Sequence, residues 1–329
     1  MIISRTPFRI SFFGGGTDFP LWYEKNGGHV ISTTINKYCY INLRKLPPFF
    51  DHKYSFRYKK TENLIKLKDI NHPSIRECLI NFKNIKEGIE IVHHADIPDR
   101  SGIGSSSAFT VGLLHCLYYL SNQIPSKKEL ALKAIQIEQK SIKENVGSQD
   151  QTAVAFGGLN QIFFSKEKKI EVKPIPISYN NLEVFNESLV MFFTGFSRNS
   201  SEINKEFVQK IFVNKSGLNE LKDISYDAME IFKNDKIDIK KFGFYLNESW
   251  NIKRKLTRAI SNSKIENMYL KGLKNGALGG KILGAGGGGF MLFIVEPNNK
   301  KKFIDKFKNV LNVPVKIDTT GSQIVYYSR

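Results

Sequence analysis

Residues 98–108 read Pro98-Asp99-Arg100-Ser101-Gly102-Ile103-Gly104-Ser105-Ser106-Ser107-Ala108, and an apolar helix pattern follows directly, to about residue 120. A glycine- and serine-rich turn feeding a buried helix fixes local geometry. The first N–H groups of that helix face back into the turn, unpaired. Glycine lets the backbone approach another group closely and adopt φ values that other residues resist. Ser105 is the expected N-cap, and the helix dipole favours a bound anion there. Serine hydroxyls can bond phosphate oxygens or ligate Mg²⁺, a hard cation that prefers oxygen. The segment is therefore a candidate triphosphate cradle built from Ser101, Gly102, Ile103, Gly104, Ser105, Ser106 and Ser107; a plain surface loop is the alternative. It lacks the Gly-Lys-Ser/Thr of a P-loop and the third glycine of a dinucleotide fingerprint.

A chain of 329 residues is more than one core usually fills, so two domains in contact are expected, over residues 1–187 and 188–329. The formal net charge of +18 admits nucleic acid, polyanionic small substrates or a general lysine bias. The lysines are spread along the chain, with no basic arm, zinc spacing or RNA-binding aromatic motif, so no nucleic-acid partner is expected. Cys39, Cys78 and Cys116 lie far apart and read as three buried thiols. No apolar run has the length to span a bilayer. The first strand-like stretch carries Arg5 and Arg9, unlike a signal peptide. A cytoplasmic protein without membrane contact is expected.

Along the chain, a strand over 2–13 leads into the turn Gly14-Gly15-Gly16, then a β-rich stretch over 29–46. A helix is expected over 72–86 and a strand over 90–95. Ser126 and Glu129 form a capping-box start for a helix reaching about 142. Strands over 159–164 and 170–174 close the first domain. The second domain opens on a buried strand, 189–193. Helices are expected over 201–213, 217–232, 240–259 and 266–277, with strands at 281–283 and 290–295. A helix over 300–309 precedes closing strands near 313 and 324. Without strict βαβ alternation, the fold class is α+β.

Three motifs resemble those of the galactokinase, homoserine kinase, mevalonate kinase and phosphomevalonate kinase (GHMP) superfamily. They are Thr6 to Asp18, the Gly-Ile-Gly-Ser-Ser-Ser-Ala of residues 102–108, where leucine is usual at Ile103, and Lys281 to Phe290 with its run of four glycines. The resemblance implies a two-domain fold, with an N-terminal domain like ribosomal protein S5 domain 2 and a ferredoxin-like C-terminal domain. ATP and a sugar would meet in the cleft between them. It implies that Ser106 and Glu138 hold Mg²⁺, with alignment favouring Ser106 over Ser105 and Ser107. Asp150 would be the catalytic base and Arg9 the cation beside it. Gly286, Gly287 and Gly288 would form a structural glycine motif, because side chains there would block approach to the phosphate loop.

Galactokinases carry Gly-Glu-His-Thr-Asp at the end of the first strand. Here Gly14-Gly15-Gly16-Thr17-Asp18 stands instead. That pattern looks like the branch acting on D-glycero-D-manno-heptose 7-phosphate, shared with fucokinase domains and glucuronokinase-like relatives. It implies phosphorylation of the anomeric C1 hydroxyl, a step toward nucleotide-activated heptose for surface polysaccharide. Gly15, Gly16, Thr17 and Asp18 would line the sugar site. Arg198, or less strongly Lys25, would meet the 7-phosphate. L-fucose, galactose or another hexose is the alternative acceptor, and a non-catalytic sugar or nucleotide sensor is a further one. The partners implied are ATP and a sugar phosphate, with the protein a monomer or homodimer.

Overall fold

A computed structural model describes all residues except 83, 100, 197–199 and 329, so Arg198 lies outside the described residues. The chain runs β1 (Ile2–Phe13), α1 (Pro20–Asn26), β2 (Gly28–Leu46), β3 (Tyr54–Arg57), β4 (Thr61–Leu64), α2 (Pro73–Ile80), β5 (Gly88–Ala95), α3 (Ser105–Leu120), α4 (Lys127–Gln136), α5 (Gln149–Phe156), β6 (Leu159–Phe164), β7 (Ile170–Pro174) and α6 (Tyr179–Ser188). It continues β8 (Leu189–Phe193), α7 (Ser200–Gln209), α8 (Lys215–Asp227), α9 (Ile239–Leu256), α10 (Ser263–Lys274), β9 (Gly279–Ile282), β10 (Phe290–Ile294), α11 (Lys300–Asp305), β11 (Ile317–Asp318) and β12 (Gln323–Tyr327).

The larger sheet follows the order β12-β1-β2-β5-β3-β4, with β6, β7 and β11 attached through β2. β1 is buried on both faces from Thr6 onward, because helices cover one side and the second layer the other. α3 is apolar all round and buries every residue from Ser107 to Leu117, which places it at the centre of the first core. The smaller sheet has the order β8-β10-β9. The two layers meet on an aromatic cluster: Phe242 of α9 lies 5.2 Å from Phe12, 5.0 Å from Phe13 and 4.8 Å from Phe185, centroid to centroid. Burying several aromatic rings at one seam fixes the layers relative to each other.

Several expectations change, among them the closing strand expected near 313, which forms at Ile317–Asp318, and the helix expected over 300–309, which ends at Asp305. The 188–329 segment does not end in the second layer: β12 pairs antiparallel with β1, placing Ile2 opposite Tyr327, and β11 pairs with β2. The free edge of β1 would otherwise present unpaired amides and carbonyls. The helix expected over 72–86 spans only Pro73–Ile80. β1 also shifts register between Ser11 and Phe13. There Lys281 of β9, 3% exposed, donates to the carbonyls of Ser11 at 3.0 Å and Phe12 at 2.8 Å. A bulge turns carbonyls out of the ladder, and this lysine satisfies two of them from across the seam.

Candidate active site

The three glycine motifs converge on one cavity of about 980 Å³ between the layers. Gly104, with φ +74°, occupies the N-cap of α3 in the left-handed region and offers no side chain to cap it. Ser105 is thus the first helical residue and not the cap. The amides that open a long buried helix are left for an anion. Ser105, Ser106 and Ser107 all border the cavity. Gly102, at φ +79°, lies against the third motif: a Cβ on it would stand 2.6 Å from the Leu283 carbonyl. The reciprocal contacts come from Gly284 and Gly289, whose Cβ atoms would lie 2.6 Å from the Gly102 oxygen and 2.3 Å from the Ser101 oxygen. Gly286 and Gly288 serve the second layer instead, facing Ile260 and Phe196, and Gly287 takes a φ of +74°.

Arg9 projects from β1, 4% exposed, into this corner. Its Nε donates to Asp150 Oδ1 at 2.8 Å and its Nη2 to Oδ2 at 2.7 Å, a bidentate pair. Nη1 donates to the Gly102 carbonyl at 2.7 Å, so one guanidinium joins the carboxylate to the phosphate loop. Asp150 sits in the first turn of α5 with 29% of its side chain open to the cavity.

Glu138 follows α4 within a π-helical turn, Ile137–Ser141, which turns the carboxylate inward. It is fully buried. Oε2 accepts from Ser107 Oγ at 3.0 Å and from the Gln151 amide, while Oε1 is buried with no partner. Burial pushes this carboxyl up to about 7, and the Glu144 charge adds to the rise. A buried carboxylate oxygen without a donor, beside serine hydroxyls and bordering the cavity, fits a hard divalent cation. The hydroxyl bonded to Glu138 is that of Ser107; Ser106 is the exposed serine of the turn.

On the acceptor side, Gly15, Gly16 and Asp18 border the cavity. Asp18 is 5% exposed and accepts from the amides of Gly16 at 2.9 Å and Gln149 at 3.3 Å. Burial raises its carboxyl, although the Gly16 bond opposes the rise. Thr17 is set apart. Its hydroxyl is fully buried and donates to the carbonyls of Gly14 at 2.8 Å and His29 at 3.1 Å, so it holds the turn and does not face the cavity. Lys25 points away, its ammonium over the Phe212 ring at 4.4 Å.

Sequence reasoning missed three contributors. Gln149 accepts from Ser11 Oγ at 2.8 Å and donates to Asp150 at 3.4 Å. Lys253 borders the cavity from α9, yet in sequence it is indistinguishable from its neighbours Arg254 and Lys255. Elsewhere in the lining His72 stacks on Phe109 at 4.7 Å, with Tyr58 and His93 edge-on, an aromatic wall. Only the packing of separate strands and helices assembles that wall.

Family models described as the GHMP kinases N terminal domain and the GHMP kinases C terminal match residues 73–158 and 228–313. The chain is 30% identical over 320 residues to the D-glycero-alpha-D-manno-heptose 7-phosphate kinase of Campylobacter jejuni subsp. jejuni serotype O:2, covering 92% of each chain. It is 23% identical over 338 residues to the galactokinase of Pyrococcus furiosus, again covering 92% of each. Among solved structures, a D-glycero-D-manno-heptose 1-phosphate kinase from Bacteroides thetaiotaomicron superposes with a TM-score of 0.82 over 100% of both chains at 21% identity. The Lactococcus lactis galactokinase complexed with galactose gives 0.76 at 19% identity, over 98% of this chain and 94% of that one.

Proposed function

The chain belongs to the GHMP kinase family and has its two-domain fold, and from that premise we propose that it transfers the γ-phosphoryl group of ATP to the anomeric C1 hydroxyl of D-glycero-D-manno-heptose 7-phosphate, giving the 1,7-bisphosphate. The family together with its sugar-kinase relatives makes it a phosphotransferase acting on a sugar hydroxyl. Support for the particular sugar comes from the 30% identical relative, whose name states that substrate, and from the turn Gly14-Gly15-Gly16-Thr17-Asp18, which lacks the Glu-His of galactokinases. The observation that carries the chemistry is the Arg9–Asp150 pair at 2.7 and 2.8 Å, tied to the Gly102 carbonyl.

Phosphoryl transfer passes through a loose transition state, so positioning and charge stabilisation dominate. Asp150 orients the attacking hydroxyl and accepts its proton, and the bidentate Arg9 contact holds that carboxylate in position. An anomeric hydroxyl is more acidic than an ordinary alcohol, which eases the proton transfer. The amides of residues 102–107 receive the phosphate oxygens. Mg²⁺, when bound, offsets charge on the β- and γ-phosphates, and Glu138 with Ser106 would hold it. Asp18 accepts hydrogen bonds from sugar hydroxyls on its remaining lone pairs, with Gly15 and Gly16 leaving room for the ring. Arg198, following β8, would take the 7-phosphate. The proposed place of work is the cytoplasm, on the ground that ATP is the phosphoryl donor.

The test is a panel of heptose 7-phosphate, heptose, L-fucose, galactose and mannose with Mg·ATP, reading ADP release and the product's phosphorus position by NMR. Heptose 7-phosphate is expected to give the highest kcat/KM. Faster turnover of L-fucose or galactose would overturn the substrate assignment.

A further inference from the structure

Lys253 reaches the cleft from the last turns of α9. Its Nζ donates to the Gly284 carbonyl at 2.9 Å and stands 3.7 Å from where a Cβ on Gly15 would be. An ammonium has three donors, and among the described residues that carbonyl is the only partner. The charged groups facing it are Asp18 from the turn after β1, Arg9 from β1, Asp150 from α5 and Lys281 from β9. Asp150 is already committed to Arg9, and both Asp18 oxygens are held by backbone amides. Burial pulls the lysine down to about 8, and the nearby Asp18 draws it back up. It is a partly buried lysine with no ion-pair partner among the described residues.

Its position says which anion completes it. Gly284 is in backbone contact with Gly102 of the phosphate loop, and the Gly102 oxygen is the one Arg9 holds at 2.7 Å. Its other neighbour, Gly15, belongs to the acceptor turn. Lys253 therefore stands where the donor phosphates and the reacting hydroxyl meet. The acceptor's own phosphate would lie at the opposite end of the sugar from that hydroxyl. We propose that Lys253 is a catalytic residue whose ammonium binds the phosphoryl group in flight between ATP and the sugar, supplied by the second layer across the cleft. In that step the bond from phosphorus to the sugar oxygen forms as the bond to the ADP oxygen breaks. The hydroxyl proton passes to Asp150, and Lys253 keeps its protons throughout.

The inference rests on the kinase reading, and wild-type turnover tests that reading separately: a wild type inactive on every sugar of the panel removes the reading itself. With an active wild type, Lys253→Met and Lys253→Gln are expected to lower kcat by about 10²–10³, the cost of one preorganised charge contact at a developing anion. The dissociation constant for ADP should stay within twofold and KM for the sugar within threefold. Lys253→Arg should recover part of the loss. Affinity for ADP with aluminium fluoride and sugar, which mimics the phosphoryl group in flight, should fall by the same factor as kcat. A structural role would instead weaken ADP and the mimic together, and that result overturns the proposal. So would kcat within threefold of wild type, or a raised sugar KM at constant kcat. In the wild type, reductive methylation of Lys253 read by mass spectrometry should be suppressed by the aluminium fluoride complex more than by ADP and sugar alone. Equal labelling in the two would overturn the proposal whether or not the variants fold.

Discussion

Gly284→Ala puts one methyl group where the third motif meets the phosphate loop. The new Cβ would stand 2.6 Å from the Gly102 oxygen, 2.7 Å from its Cα and 2.9 Å from its carbonyl carbon, all backbone atoms with no rotamer to escape into. Gly284 also has a φ of +69°, which costs an L-residue roughly 1–2 kcal/mol. Relieving the clash adds roughly 1–3 kcal/mol, the usual cost of overpacking a tight contact. The stability loss expected is about 2–5 kcal/mol. Gly102 must retreat, and its oxygen carries Arg9, so the Arg9–Asp150 pair moves with it. A displacement of about 1 Å at a reacting centre lowers turnover by about 10². Gly276→Ala is the control: its φ is +97°, but nothing lies within 4 Å of the added methyl. That variant should lose only the backbone term and keep its kcat. Urea unfolding midpoints and steady-state kinetics at saturating ATP measure both effects. Equal kcat for the two variants would refute the coupling between the motifs.

Asp150→Asn should cut kcat by about 10²–10⁴, the usual contribution of a general base, while calorimetry finds ATP affinity nearly unchanged; turnover within a few-fold of wild type removes the base assignment. Glu138→Gln should act on stability and activity with opposite signs. It removes a buried charge that burial disfavours, so the melting temperature should hold or rise while Mg·ATP turnover collapses; a large loss of both would mean the carboxylate is structural. His29, His93 and His115 are each pushed down to about 4 by burial, so the unfolded chain takes up these protons first as pH falls below about 6.5. The stability each contributes is complete above that pH and lost progressively toward 4, by up to roughly 1.4 kcal/mol per pH unit. The stability gap between wild type and His115→Asn should therefore narrow on acidification from pH 6.5 to 4.5, and a gap independent of pH would contradict the assignment.

What the sequence revealed depended on how locally each feature is encoded. The helix over 105–120, the capping box at Ser126 and the strands at 159–164 and 170–174 appear where periodicity and caps place them. Motif order singles out Arg9, Glu138 and Asp150 at distant positions, and the geometry sets all three on one cavity with Arg9 and Asp150 in contact. The short elements β3, β4 and α5 escaped, since four to eight residues carry too little pattern to identify. Thr17 and Lys253 show the other limit. A threonine beside an aspartate in a glycine turn reads as a ligand until its hydroxyl is found bonded to two carbonyls, and a lysine among lysines reads as surface until its helix is packed.

The bonds from Lys281 to the Ser11 and Phe12 carbonyls act as a rivet between the two halves of the cleft. They fasten the strand end that leads into the acceptor turn to the sheet that carries the third motif. A kinase hinged at this seam could close on its substrates and squeeze water out; here a buried lysine and a cluster of phenylalanines join the two halves at that seam. If Asp150 is the proton acceptor proposed above, wasteful hydrolysis of ATP would be restrained by where that carboxylate points, since a water molecule lacking the sugar's other contacts is not held in line with the phosphorus.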